Sequence, residues 1–348
     1  MQTSHWAYLH PQPAATGRLK QHLSDFKVTE ILGYEPSGQG EHIYLWVRKE
    51  GLNTAYLAEQ IAKFARVPAS SVTYAGRKDK YAVTEQWLSV HKPGKAEFDW
   101  QNLDLAGAEV LKAVRHDKKL RTGVLKGNVF DITVRELSSI DELESRLQCV
   151  AQQGVPNYYG SQRFGDSRYD PRGGNLVLAE KMLDGEVIRN RNKRSMAISA
   201  MRSWLFNEYL SQRIADGLYN QAMPGDVMIL HGSASFFCAE QLDEQINQRL
   251  QTGDIQLSAP LWGKGDLASS GQALAFEHKL ATQHHKVSEC LAELGLKQER
   301  RAINLQPQQM RWKASDSTLN LQFILPAGAF ATSVLREIVD IQPNYEVE

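Results

Sequence analysis

One carboxylate set between two ammoniums is the chemically richest feature of this chain. In the run GRKDKYAVTEQ, from Gly76 to Gln86, Asp79 lies between Lys78 and Lys80, just after the β-like stretch VTYA that begins at Val72. Gly76 tolerates the positive φ of a sharp turn, and a second β-like run over 84–90 follows. An acid on a loop at a strand end can project into a cleft. The flanking ammoniums favour the charged form of a carboxylate that is ionised at neutral pH in any case. Such a group can serve as a general base or as a nucleophile. A Lys-Asp-Lys turn is also an ordinary solvated loop, and local composition alone favours that simpler reading.

Other groupings could contribute chemistry or grip. In KGNVF, from Lys126 to Phe130, strand alternation sets the Asn128 amide beside the Phe130 ring. Such a pair can hold a flipped pyrimidine by its edge and its plane; read alone, Phe130 is a core residue and Asn128 a turn former. Phe330, in LPAGAFATSVLREI, follows a glycine-containing turn and precedes a helix. That suits an aromatic at a pocket edge, or a hydrophobic staple for the helix. Phe26 in DFKVTE alternates with Val28 as core residues do, and Lys20 precedes it in GRLK. NYYGSQRFGDSR, over 157–168, interleaves aromatics with Arg163 and Arg168, which allows stacking and phosphate contact together. The densest basic clusters are RNRNKR, with Arg189, Arg191, Lys193 and Arg194, and RHDKKLR over 115–121. Each is ordinarily solvated surface, and each can meet phosphates.

The elements that must position these groups follow from periodicity. Strands are expected over 26–31 and 42–49, then a helix capped by Asn53 or Thr54 with Leu57, Ile61 and Phe64 on one stripe. Asn128, Phe130, Ile132 and Val134 alternate on one strand face, and a helix from about 141 ends at Gly154 and Pro156. Helical spacing returns over 197–213, 243–253 and 277–295; Leu319, Leu321, Phe323 and Leu325 alternate, and a helix is expected over 331–340. This is an α+β pattern with a composition shift near 154.

A chain of 348 residues with 42% hydrophobic content supports two domains. Lys+Arg and Asp+Glu balance at 40 each, so no global basic field marks a polyanion partner and any such surface must be local. Three separated cysteines, without a CxxC pair, argue against a disulfide framework or a structural zinc site and for a reducing compartment. No signal-peptide pattern opens MQTSHWAYLHPQP, and no apolar run approaches the roughly 20 residues of a membrane span, so a cytoplasmic protein is expected. His284-His285, the one histidine pair in the sequence, is read as surface, and no metal site or phosphate-cradling loop is expected.

Gly76, Lys78, Asp79, Ala82, Thr84 and Gln86 fit G-x-K-D-x-x-A-x-T-x-Q, the signature of the tRNA pseudouridine synthase D (TruD) family, which the chain resembles. The 157–165 run is similar to that family's N-Y-F-G-x-Q-R-F-G, with Tyr159 in place of phenylalanine. KGNVF, the segment around Phe330 and DFKVTE keep the family's order over residues 20 to 338. The resemblance implies isomerisation of a uridine to pseudouridine, usually position 13 in the D arm of tRNA, with Asp79 as the catalytic residue and no cofactor. It implies Lys20 as a basic partner of Asp79, and Phe26, Asn128, Phe130 and Phe330 around the uridine. Lys78, Arg163, Arg168, Arg189, Arg191, Lys193 and Arg194 become RNA-contact candidates. Asp79 could deprotonate C2′ to give a glycal, or attack C1′ or C6 of the base; the sequence leaves these open. The implied fold is a pseudouridine-synthase catalytic domain with a mixed or antiparallel sheet and helices, residues 1–153 and 305–348, interrupted by an inserted α/β TRUD-specific domain, residues 154–304. The protein is expected to act on tRNA as a monomer, away from membranes. A catalytically inert RNA-binding or chaperone protein on the same fold is the alternative; a glycoside hydrolase would need a second placed carboxylate.

Overall fold

The structure, a computed structural model, describes residues 1–94, 97–165, 170–315 and 317–342. Two compact units divide the chain. One comprises Pro13–Gln152, Gln306–Ala329 and Ile338–Glu348, the other Met1–Gln12, Gln153–Leu305 and Phe330–Glu337.

Strand alternation builds the first unit. Its ten-stranded sheet runs in the order Gln308–Ala314, Thr318–Pro326, Gly127–Arg135, Phe26–Ile31, Val83–His91, His42–Glu50, Ala108–His116. Thr16–Leu19, Asp340–Gln342 and Val72–Tyr74 lie off this path. The sheet is mixed: Phe26–Ile31 runs parallel to Val83–His91 and antiparallel to Gly127–Arg135. The register places Phe323 opposite Phe130, Phe130 opposite Val28, Val28 opposite Thr84, and Thr84 opposite Lys49. Cross-strand partners share a face and residues two apart return to it, so Glu30, Asn128, Gln86 and Val47 occupy that same face. The helix Thr54–Phe64 covers part of it. Asn53 caps the helix by accepting the Ala55 N–H at 2.9 Å, and Leu57, Ala58 and Ile61 pack against Ile43, Leu45, Val47 and Leu88. On the opposite face Lys27 and Asp131 meet as an exposed pair.

In the second unit the helix Arg191–Ala215 is the central element. It buries Met201, Trp204, Leu205, Phe206 and Tyr209 in a core shared with Trp6, Tyr158 and Phe164. An antiparallel sheet of Phe236–Ala239, Asp226–Leu230, Ile255–Leu261 and Glu299–Ala302 accompanies it. Arg213 and Asp226, both fully buried, pair at 2.6 Å.

The α+β class agrees with the sequence reading, and three local expectations change. The helix expected over 331–340 stops as Ala331–Arg336, because Asp340–Gln342 becomes a strand parallel to Thr16–Leu19. Residues 1–12 and 330–337 pack with 153–305 rather than with the segments beside them in sequence. Trp6 stacks on Tyr158 at 5.9 Å, and Ser333 Oγ donates to the Tyr158 carbonyl at 2.7 Å. His284 is half-buried against Trp204, with ring centroids 4.9 Å apart, while His285 is exposed. Burial holds the His284 imidazole below its ordinary value despite the nearby Glu208 carboxylate. Among the described residues, no helix is long and apolar enough to cross a membrane.

Candidate active site

Asp79 sits on the loop between Val72–Tyr74 and Val83–His91, and its carboxylate is a quarter exposed. Lys20 Nζ donates to Asp79 Oδ2 at 2.7 Å. The lysine follows the strand Thr16–Leu19 and adopts φ +61°, a left-handed conformation that costs a non-glycine residue about 1–3 kcal/mol. Its ammonium also lies 4.3 Å from the centre of the Phe26 ring, so the aromatic face and the carboxylate share one cation. The turn between Lys20 and Phe26 is tied down by Asp25. Its carboxylate accepts the His22 N–H at 2.8 Å and Arg135 Nε at 2.9 and 3.0 Å. Burial alone would raise the Asp25 carboxyl, but Arg135 and the His22 N–H outweigh it and hold the group below its ordinary value.

The loop is also gripped from beneath. Lys49, fully buried, donates from Nζ to the main-chain carbonyl of Asp79 at 2.7 Å. Burial pushes this ammonium down to about 8; the Asp79 carboxylate opposes the shift and Lys78 adds to it. Thr54 Oγ1 accepts the Lys78 N–H at 3.0 Å and lies 3.0 Å from Gln86 Oε1, to which it donates. Lys78 itself points inward: its Nζ pairs with Glu30 Oε1 at 2.5 Å, the lysine side chain 9% exposed and the glutamate 0%. Glu30 is raised by its burial, with Lys78 and the Trp87 N–H acting against that shift. Lys78 is therefore part of the loop's foundation and not the open phosphate contact expected of it; Arg77 and Lys80 are the exposed cations of the loop. Gly76 does not adopt positive φ, so the turn makes no use of the freedom expected of it.

The aromatic residues near Asp79 are a floor. Phe26 is 3% exposed and Phe130 7%. Phe130 meets Phe26 in an edge-to-face arrangement at 6.1 Å and stacks on Phe323 at 5.6 Å, so one of its wide faces is taken by Phe323. The core reading of these two rings holds here, because alternation turns both onto the covered face. Asn128 is half-buried beside them, and its Oδ1 is buried without a hydrogen-bond partner, as are Thr84 Oγ1 and Gln86 Nε2 on the same sheet face. Orphaned buried polar atoms are rare enough to call for an explanation.

The remaining candidates belong to the other unit, apart from Arg168, which lies outside the described residues. Phe330 caps the helix Ala331–Arg336 and packs against Tyr159, 5.7 Å between centroids. The Arg163 guanidinium lies over both rings and donates to Ser199 Oγ at 2.9 Å. Gly160 allows a close approach there, since a Cβ on it would fall 2.2 Å from Thr332 Oγ1. The motif run lines a cavity of about 230 Å³ with Trp6, Tyr159, Phe164, Arg172 and Thr332 on its walls. Arg189, Arg191, Lys193 and Arg194 are all exposed around the start of the helix Arg191–Ala215, with Asn190 as its cap. Among the described residues, no group of three His, Cys, Asp or Glu side chains is placed to hold a metal ion.

The family model described as tRNA pseudouridine synthase D (TruD) matches residues 3–187 and 188–338. The chain belongs to the tRNA pseudouridine synthase D family. It is 63% identical over 342 residues to the tRNA pseudouridine synthase D of Pseudoalteromonas atlantica, covering 98% of each chain. With that of Aeromonas hydrophila it shares 50% over 337 residues, 97% of this chain and 94% of the other. Its fold is similar to the crystal structure of a Methanosarcina mazei protein assigned as TruD, with a TM-score of 0.70, 22% identity, and 96% and 95% of the two chains covered.

In this TruD-family chain, sequence reasoning missed Lys49, Glu30 and Thr54. Two of them carry a signal. Lys49 is in phase with Ile43, Leu45 and Val47, and Glu30 with Phe26 and Val28, so each places a charge where alternation places the core.

Proposed function

We propose that this chain is a tRNA pseudouridine synthase, an isomerase that breaks the N1–C1′ bond of a uridine in tRNA, turns the uracil and joins its C5 to C1′. Asp79 is the catalytic carboxylate and Lys20 its basic partner. The observation that carries this reading is the Lys20–Asp79 pair, 2.7 Å apart with 22% and 25% of the side chains exposed. Its carboxylate member sits in the loop that bears the family signature, and Lys20 reaches it from the end of the strand Thr16–Leu19. An ion-paired carboxylate beside solvent is charged and reachable, which proton abstraction at C2′ and attack at carbon both need. Lys20 orients the carboxylate, and its contact with Phe26 limits where the lysine can swing. The uridine must leave its stack, at a few kcal/mol; the Asn128 amide is the group assigned to the base edge, over the floor of Phe26 and Phe130.

The preferred target is the uridine at position 13 in the D arm. The unit that holds Asp79 acts as the catalytic domain, and the unit of Gln153–Leu305 is the family's inserted domain. Arg163 and the exposed cluster from Arg189 to Arg194 meet tRNA phosphates, and the protein works as a cytoplasmic monomer without a cofactor.

Asp79→Asn tests the assignment. The variant keeps the volume and loses the charge and basicity, so tritium release from 5-tritiated uridine in tRNA should stop while tRNA affinity stays within about twofold. Turnover close to wild type in that variant would remove Asp79 from the chemistry. An inert RNA-binding protein on this fold would release no tritium even as wild type.

A further inference from the structure

A lysine has no need to be where Lys49 is. Its neighbour Arg48 turns outward, 46% exposed, and pairs with Glu50 at 2.7 Å. Lys49 instead lies on the covered face, opposite Thr84 on one neighbouring strand and Ala108 on the other, neither of which carries a charge to balance an ammonium. An ammonium taken out of water costs several kcal/mol unless its protons find acceptors. The acceptor here is the carbonyl of Asp79 at 2.7 Å, and the charged groups that bear on it are Asp79 and Lys78, both on the loop above. The hydrogen bond therefore fixes the peptide that follows the Asp79 side chain. Lys20 holds the same residue at its carboxylate, also at 2.7 Å. Asp79 is thus pinned at two points, once through its main chain and once through its side chain, by lysines from two different strand regions.

Resting on the reading of Asp79 as the catalytic carboxylate, we propose that Lys49 is a positioning residue for the reaction, holding the Asp79 peptide so that the carboxylate presents the geometry the isomerisation needs. Lys49 touches no substrate atom. Its effect belongs to the rate on bound tRNA and not to affinity, because misplacing a reacting group by about 1 Å can cost on the order of a hundredfold.

The test compares wild type, Lys49→Met, Lys49→Gln and Asp79→Asn by single-turnover tritium release at saturating tRNA, by tRNA titration, and by thermal melting. Lys49→Met should slow release on bound tRNA by about tenfold or more, with the dissociation constant within about twofold of wild type. Lys49→Gln, whose amide can donate to the same carbonyl, should recover much of that rate. Wild-type rates in Lys49→Met, a loss confined to affinity, or losses in both variants that simply follow their melting temperatures would overturn the proposal. A normal rate in Asp79→Asn would instead refute the underlying assignment. Release abolished by Asp79→Asn and untouched by Lys49→Met would refute only the role of Lys49.

Discussion

Replacing Lys49 by methionine should leave stability near that of wild type at about pH 7 and lower it clearly at about pH 10, a pH dependence set by linkage. The magnitude follows from the burial of one ammonium. Lys49 is fully buried and is pushed from the ordinary 10.5 down to about 8. At roughly 1.4 kcal/mol per pH unit, that gap corresponds to about 3 kcal/mol of differential stabilisation. The sign is fixed by which state holds the proton. Below about pH 8 the lysine is charged in both states, and the native state carries the whole penalty. As the pH rises through 8 the native lysine loses its proton while the unfolded chain keeps it to about 10.5, so wild-type stability gains up to about 3 kcal/mol across that window. Methionine has no such term. It relieves the penalty at neutral pH but leaves the Asp79 carbonyl without its donor, at about 1–3 kcal/mol. The two effects roughly cancel at about pH 7, and only the second survives at about pH 10. Urea unfolding of both proteins at matched pH values measures the difference, in which groups common to both drop out. A wild-type-minus-variant difference that stays flat from about pH 7 to 10 would refute the reasoning, because it would mean that Lys49 carries no buried charge.

Phe130→Ala should lower stability by about 3–5 kcal/mol, because it empties a site closed by Phe26 and Phe323. An unchanged melting temperature with slower turnover would instead make the ring a substrate contact. Neutralising Arg189, Arg191, Lys193 and Arg194 together should weaken tRNA binding and flatten its salt dependence, since every cation withdrawn from a phosphate takes roughly one counterion-release term with it. Titrations at several salt concentrations check this, and parallel curves for variant and wild type would leave the cluster as solvated surface. Arg135→Gln should destabilise the protein at neutral pH, where the Asp25 carboxylate that it pairs with is charged. A carboxyl held below its ordinary value contributes stability above the ordinary aspartate range and loses it as the pH falls through its own lower value. The cost of the substitution should therefore shrink in acid, and a cost independent of pH in denaturant titrations would contradict the pairing.

Much of the sheet was legible because one face is covered and the other is wet. Phe26 and Val28 alternate with Lys27 and Thr29, and Leu319, Leu321 and Phe323 with Asn320 and Gln322, so strand and inner face can be read together. The motif loop was legible through its residue types, but its orientation was not. Lys78 and Lys80 look equivalent in sequence; one pairs with Glu30 and the other is exposed, because only the first has a buried carboxylate within reach. The left-handed turn at Lys20 leaves no trace in composition. The assignment of 330–337 to the unit of 153–305 was hidden as well, since it depends on long-range packing of Phe330 and Ser333 against Tyr159 and Tyr158.

In the unit that holds Asp79, the charged residues at covered sheet positions lie around one loop. A sheet face that has to bury side chains is most stable when those side chains are apolar, and replacing buried charges by well-packed apolar groups is often neutral or favourable. Yet Glu30 and Lys49 both occupy covered positions, and Thr84 and Gln86 between them leave buried polar atoms without partners. Glu30 engages the side chain of Lys78, Lys49 the main chain of Asp79, and Gln86 is reached by Thr54, which also accepts the Lys78 N–H. Every one of these contacts ends on residue 78 or 79, or on a side chain that does. A core built for stability alone has no reason to gather its costly groups beneath a single two-residue segment. A core that must hold one carboxylate still does, and this accounts for why the sheet departs from its alternation rule where the loop crosses it.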